Sequence, residues 1–156
     1  MYVSAIARLE DEEMPRQSPL AMADTTIAPR AARPLKFYLV EDNAIIRENL
    51  AETLHDLVGA EVVGVSEAQS DATRWLCDPT HEWDVAVVDI FLKLGNGIQV
   101  VAALQGVHRQ RRIIVLTNYA STEVRSECLR LGADAVFDKS TELDDLIEFC
   151  AKVQLH

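Results

Sequence analysis

Five polar residues directly follow short apolar runs of this 156-residue chain, and their types could act together. Three are the carboxylates Glu41, Asp42 and Asp89, and the others are the hydroxyl of Thr117 and the ammonium of Lys139. A carboxylate beside buried residues is unfavourable unless another group pairs with it. The pattern therefore indicates either strand ends that lead into turns or one shared reaction centre.

Carboxylates gathered at one site repel one another and need a nearby cation. About 5 Å apart, at an effective dielectric near 20, each pair repels by roughly 3 kcal/mol. Lys139 supplies one positive charge, and Mg²⁺ would supply the rest because it binds a few carboxylates and retains waters. A hard cation beside a free carboxylate, with a hydroxyl and an ammonium opposite, is suited to phosphoryl transfer with Asp89 as the nucleophile.

Five predicted strands alternate with segments of helical period and must position these residues. The strands are runs of β-branched and apolar residues, at 36–41, 60–65, 84–89, 112–117 and 134–138. Strands that alternate with helices form a parallel sheet covered on both faces. In such sheets ligands bind at the carboxyl ends of the strands, so the five polar residues are expected on one rim.

A helix with one buried stripe is predicted after the first strand. The residues of that stripe recur at helical spacing, and they are Ile46, Leu50, Leu54 and Leu57. Gly59 stands where the C-cap of this helix is expected.

Charge and cysteine content exclude several classes of function. The net charge of −10 opposes direct contact with nucleic acid or an anionic membrane surface. The three cysteines lie far apart without a CxxC spacing, which is typical of reduced thiols. No apolar run approaches the roughly 20 residues that span a bilayer, and acids replace the apolar core of a secretory signal. We expect a cytoplasmic protein without membrane insertion.

Residues 1–35 differ in composition from the rest of the chain. They hold four of the five prolines and a short acidic run at 10–13. Such a segment has little to bury, so we predict a disordered or poorly ordered arm at 1–35 and one folded domain at 36–156.

Four short motifs resemble those of the receiver domain of two-component response regulators, of the single-domain, chemotaxis-regulator type. They are LVEDN, VVDIFLKLGNG, VLTN and FDKS, each at a predicted strand end and in the family's order. The resemblance covers residues 36 to about 154. It implies an α/β, flavodoxin-like fold, with a doubly wound five-stranded parallel sheet of order 2-1-3-4-5 and helices on both faces.

The resemblance also implies a metal site and a phosphoacceptor. Asp89 would accept the phosphoryl group. Asp42, Asp89 and the backbone carbonyl of Phe91 would bind magnesium, and Glu41 would orient a metal-bound water. The implied phosphodonor is a histidine kinase or a histidine phosphotransfer protein.

Thr117 and Lys139 would contact the phosphoryl group. The resemblance implies that Thr117 moves toward this group and that Lys139 pairs with it. The chain would then change its surface around strands 4 and 5 and helix 4. We expect output through an unidentified protein target, because little sequence follows the last predicted helix. A homodimer through helices 4 and 5 is a further option by resemblance.

Three positions depart from the family pattern. The family usually has an aromatic residue three positions before the lysine, where this chain has Val136 with Phe137 beside it. Ser140 replaces the usual proline after the lysine, and Asn118 replaces the usual small residue after the threonine. The missing aromatic residue and the missing proline support a second hypothesis, a degenerate receiver that acts as a phosphorylation-independent scaffold.

A third hypothesis is an enzyme, a haloacid-dehalogenase-like phosphatase, which also uses an aspartate nucleophile at a strand end. The phosphatases of that family carry the motif DxDx[TV], and Phe91 stands here in place of the second acid. We therefore expect no enzyme activity beyond self-phosphorylation and dephosphorylation at Asp89.

Overall fold

One parallel sheet of five strands forms the centre of the structure, in the order β2-β1-β3-β4-β5. The strands are β1 Lys36–Val40, β2 Glu61–Ser66, β3 Val85–Val88, β4 Arg112–Thr117 and β5 Ala135–Asp138. Every strand begins and ends within one residue of its predicted bounds. All four residues of β3 are buried, as expected for a strand covered on both faces.

A computed structural model describes residues 33–107 and 110–154, and Leu35–Gln154 form a compact unit. The predicted arm at 1–35 lies outside the described residues except for its last three. Of those, Leu35 is buried and packs in the core.

Five helices within the described residues connect and cover the strands. They are α1 Ala44–Val58, α2 Gln69–Cys77, α3 Gly97–Ala103, α4 Thr122–Arg130 and α5 Leu143–Gln154. Helices α1 and α5 pack on one face of the sheet, and α2, α3 and α4 pack on the other. The predicted flavodoxin-like fold is confirmed. In the part of the chain that is described, no helix combines the length and apolar character needed to cross a membrane.

The buried stripe of α1 differs from the predicted one at its edge. Leu50 and Leu54 are buried as predicted, but Leu57 is 66% exposed and Val58 is buried instead. Successive helical residues turn by about 100°, so Val58 follows Leu50 and Leu54 on one face while Leu57 lies at its margin. Ile46 lies at the same margin and is 37% exposed. Gly59 forms the C-cap of α1, as predicted.

Helix α3 begins against the backbone of the chain that leaves β3. The Gly97 amide donates to the Ile90 carbonyl over 2.8 Å. A Cβ atom on Gly97 would lie 2.0 Å from the Asp89 carbonyl oxygen, which is far inside van der Waals contact. The absence of a side chain at Gly97 therefore lets the start of α3 lie directly beside Asp89.

We expect Gly97→Ala to lower the free energy of unfolding by about 2–3 kcal/mol, because a new methyl group must displace packed backbone. Gly59→Ala is the control, since open space surrounds a Cβ there and only its φ of +71° is unfavourable, by about 1 kcal/mol. Urea denaturation measures both. If Gly97→Ala lost no more stability than Gly59→Ala, the close approach of Gly97 to the Asp89 backbone would be contradicted.

Candidate functional site

The five polar residues predicted to share one rim lie together at the carboxyl edge of the sheet. Glu41 and Asp42 follow β1, Asp89 follows β3, Thr117 ends β4 and Lys139 follows β5. One carboxylate oxygen from each of the three acids lies within 4.8 Å of the other two. We call these three acids the acidic cluster.

Lys139 connects two members of the acidic cluster. Its Nζ donates to Glu41 Oε1 over 2.5 Å and to Asp89 Oδ2 over 2.8 Å. The three side chains are nearly buried, with exposed fractions of 11%, 6% and 9% for Lys139, Glu41 and Asp89. Charge-assisted hydrogen bonds in such a setting are stronger than in water. Lys139 therefore fixes the relative positions of the ends of β1, β3 and β5.

Asp42 is held by a different donor. Its Oδ2 accepts a 2.6 Å hydrogen bond from the backbone amide of Lys93, in the connection between β3 and α3. This bond leaves the charge of Asp42 without the ammonium that serves the other two acids. Three carboxylates and one ammonium leave the cluster with a formal charge of −2.

Burial acts on the two buried partners in opposite ways. Burial, together with the charge of Glu41, raises the pKa of Asp89 above its usual value, although the hydrogen bond and charge of Lys139 and the Phe91 amide lower it. Burial also opposes the charge of Lys139, but its hydrogen bonds to Asp89 and Glu41 and the charges of these two acids together outweigh burial and raise the lysine pKa. The lysine is thus held protonated, whereas ionised Asp89 needs further positive charge.

A divalent cation fits this arrangement. The donors are carboxylate oxygens in close proximity, with an excess of negative charge, which is the ligand set that Mg²⁺ takes in proteins. The Phe91 amide donates to Asp89 Oδ1 over 3.2 Å, so the backbone of Phe91 lies beside the same carboxylate. Asp42, Asp89 and the backbone of Phe91 therefore lie close together at this edge of the sheet.

Thr117 and two aromatic rings complete the surroundings of the cluster. Thr117 is fully buried, and its Oγ1 accepts a 3.2 Å hydrogen bond from the Tyr119 amide. The rings of Phe91 and Tyr119 meet edge to face, with centroids 4.6 Å apart, and each is more than half exposed. The loops after β3 and β4 thus touch above the sheet edge.

Sequence reasoning missed the groups that hold the β3–α3 connection in place. The backbone amide of Gln69, the first residue of α2, donates to the Leu94 carbonyl over 2.9 Å. Its Oε1 accepts a 2.9 Å hydrogen bond from the Asn96 amide. A glutamine at a helix start carries no signal of such a role, and the Lys93 amide is a backbone group that every residue type except proline provides.

The positions that depart from the family pattern have defined structural roles. Val136 is buried in the core that faces α4, whereas Phe137 points to the other face and meets Phe149 edge to face, with ring centroids 6.0 Å apart. Phe137 therefore does not take the place of an aromatic residue at 136. Asn118 lies in the lining of a groove that also contains Lys139 and Ser140. Ser140 donates its amide and its hydroxyl to Asp138 Oδ1, over 2.8 and 2.9 Å.

Comparison with known proteins identifies a family across most of the chain. The family model for the response regulator receiver domain matches residues 37–151. The DNA-binding transcriptional activator DevR/DosR of Mycobacterium tuberculosis is 36% identical over 101 residues, which are 64% of this chain and 45% of that protein. The acid tolerance regulatory protein ActR of Rhizobium meliloti is 27% identical over 137 residues, 88% of this chain and 66% of that protein. The chain thus spans less than two thirds of either relative.

Solved receiver structures share the fold. The response regulator domain of Thermotoga maritima CheB superimposes with a TM-score of 0.68 at 20% identity, covering 78% of this chain and 97% of that one. The receiver domain of the Francisella response regulator 1452 gives a TM-score of 0.67 at 23% identity, with coverage of 78% and 97%. Receiver domains generally bind Mg²⁺ through an acidic cluster.

The sheet order, the acids and lysine at the strand ends and the match over residues 37–151 point to one family. The chain belongs to the receiver domain family of response regulators in two-component signalling.

Proposed function

We propose that Asp89 accepts a phosphoryl group from a histidine kinase or a histidine phosphotransfer protein in a magnesium-dependent reaction. The observation that carries this proposal is the buried Asp89 carboxylate, which pairs with Lys139 and still lies in a cluster of excess negative charge. A nucleophile in that setting favours the arrival of a cation and of a group that the cation neutralises. The chemistry of the chain is then its own modification, without turnover of a separate substrate.

The transfer follows from the positions of the side chains. A carboxylate oxygen of Asp89 attacks the phosphorus of a phosphohistidine, the P–N bond breaks, and the imidazole nitrogen leaves with the electron pair. Lys139 donates to the developing negative charge, and the Thr117 hydroxyl is within the same rim to donate to a phosphoryl oxygen. Asp42, Asp89 and the Phe91 carbonyl would hold Mg²⁺, which would supply positive charge to the phosphoryl oxygens, and Glu41 would orient a water at the ion.

A groove beside the site supports a protein as the donor. It has a volume of about 310 Å³, and its lining includes Ser140 and Lys139, which also belongs to the site. Its apolar wall is formed by side chains of α1, β4 and α5, namely Ile46, Leu50, Leu116 and Leu143. A donor that seats an apolar side chain in this groove would hold its phosphohistidine near Asp89.

We expect wild type to become labelled by a phosphorylated donor in Mg²⁺ and to lose labelling in EDTA. Asp89→Asn should show no labelling above background, because the nucleophile is gone. Asp144→Asn, an exposed acid on α5, is the control and should label as wild type does. Gel-based phosphotransfer with candidate donors measures each. Wild type that takes up neither phosphate nor beryllofluoride would favour the scaffold hypothesis.

We expect Ile46→Ser to slow transfer from a protein donor about tenfold, because it removes apolar contact area from the groove. Acetyl phosphate, which is too small to use the groove, should react as before. Leu57→Ser is the matched control, since Leu57 is an exposed apolar residue of the same helix outside the groove. Single-turnover kinetics separate the two donors, and equal slowing of both by Ile46→Ser would exclude the groove as the docking site.

A further inference from the structure

Arg125 joins three separate parts of the chain through one guanidinium group. From α4, its Nε donates to the Ala120 carbonyl over 2.9 Å, and its Nη1 donates to the Val136 carbonyl over 3.0 Å. Its Nη2 donates to Glu142 Oε1 over 2.8 Å. The loop between β4 and α4, strand β5 and the start of α5 therefore share a single donor group.

Glu142 extends this network toward the site. The same Oε1 atom accepts a 2.8 Å hydrogen bond from the Asp138 amide, and Asp138 directly precedes Lys139. On the other side, the loop that Arg125 holds begins after Thr117. The network consequently connects the two segments that present Thr117 and Lys139 to the acidic cluster.

The acceptors of Arg125 differ in how freely they can move. The Val136 carbonyl belongs to β5, and Val136 is paired with Val115 of β4 in the sheet. The Ala120 carbonyl belongs to a connecting loop, which has no such pairing within a strand. If the loop moves as Thr117 approaches a phosphoryl group, the bond to Ala120 changes while the bond to β5 keeps the guanidinium in place.

We propose that Arg125 is a positioning residue that holds the 118–121 loop in its unphosphorylated arrangement and so opposes the switch. The proposal rests on the proposed function, because the switch follows phosphorylation of Asp89. A hydrogen bond present in one of two states favours that state by its own strength. Val136, which stands at the family's aromatic position, is buried, and Arg125 donates to its backbone carbonyl.

Beryllofluoride with Mg²⁺, which mimics the phosphoryl group, tests this inference. We expect Arg125→Ala to bind beryllofluoride about three- to tenfold more tightly than wild type, because the unphosphorylated state loses the hydrogen bond from Arg125 to the Ala120 carbonyl. Glu142→Gln keeps an oxygen acceptor but removes the charge, and it should shift the affinity in the same direction by less. Arg130→Ala is the control, because Arg130 pairs with Glu127 on its own helix.

Backbone amide NMR provides a second readout. In Arg125→Ala without beryllofluoride, the amide signals of Tyr119 and Ala120 should move toward their positions in beryllofluoride-bound wild type. A purely structural arginine would lower stability and leave both the affinity and these signals unchanged.

Unchanged or weaker beryllofluoride binding by Arg125→Ala, with wild type binding normally, would overturn this inference alone. Failure of wild type to bind beryllofluoride would overturn the proposed function and this inference together. Should Arg125→Ala not fold, Glu142→Gln decides the question through the same affinity and amide measurements.

Discussion

One buried ammonium shared by two carboxylates is the interaction on which the rest of this structure depends. Lys139 reaches Glu41 and Asp89 across 98 and 50 residues of sequence, so the contact forms only when β1, β3 and β5 align in one sheet. The buried residues of β3 in turn bring Asp89 to the middle of the carboxyl edge. Burial strengthens these charge-assisted bonds and also makes any unpaired charge unfavourable, so the fold and the site are energetically linked.

The charge imbalance of the site follows directly from this contact. The ammonium serves Glu41 and Asp89, whereas Asp42 is held by the backbone amide of Lys93. A site that was merely structural would be more stable with fewer acids, because burial raises the pKa of Asp89 and disfavours its ionised form. The excess of acid is understandable if positive charge and a phosphoryl group arrive together and leave together. The two states would then differ in charge at the sheet edge, and this difference would favour a different arrangement of the edge in each state.

Much of the fold could be predicted because strand and helix signals are carried by residue types. Runs of β-branched residues predicted all five strands, and acids or a lysine after those runs predicted the rim. The alternation of side chains along a strand also explains why Phe137 cannot serve for Val136, since neighbours face opposite sides. The buried face of α1 was misjudged at Leu57 because helical period alone does not say where a stripe is centred.

Other parts of the site could not be predicted because they depend on backbone groups or on the orientation of a long side chain. The Lys93 amide acts through its position after β3, which residue type does not report. Arg125 resembles any arginine on an exposed helix until the carbonyls of Ala120 and Val136 are placed around it. Such contacts join elements that are distant in sequence, so they become visible only in the folded chain.

The free energy of unfolding of wild type and Asp89→Asn, with and without Mg²⁺, tests most directly whether the cluster carries unmet negative charge. Without Mg²⁺ at neutral pH, Asp89→Asn should be more stable than wild type, because burial raises the pKa of Asp89 and so disfavours its ionised form in the folded state. Mg²⁺ should stabilise wild type and stabilise the variant much less. A wild type that gains nothing from Mg²⁺, with Asp89→Asn less stable than wild type in EDTA, would contradict the central role given to this charge.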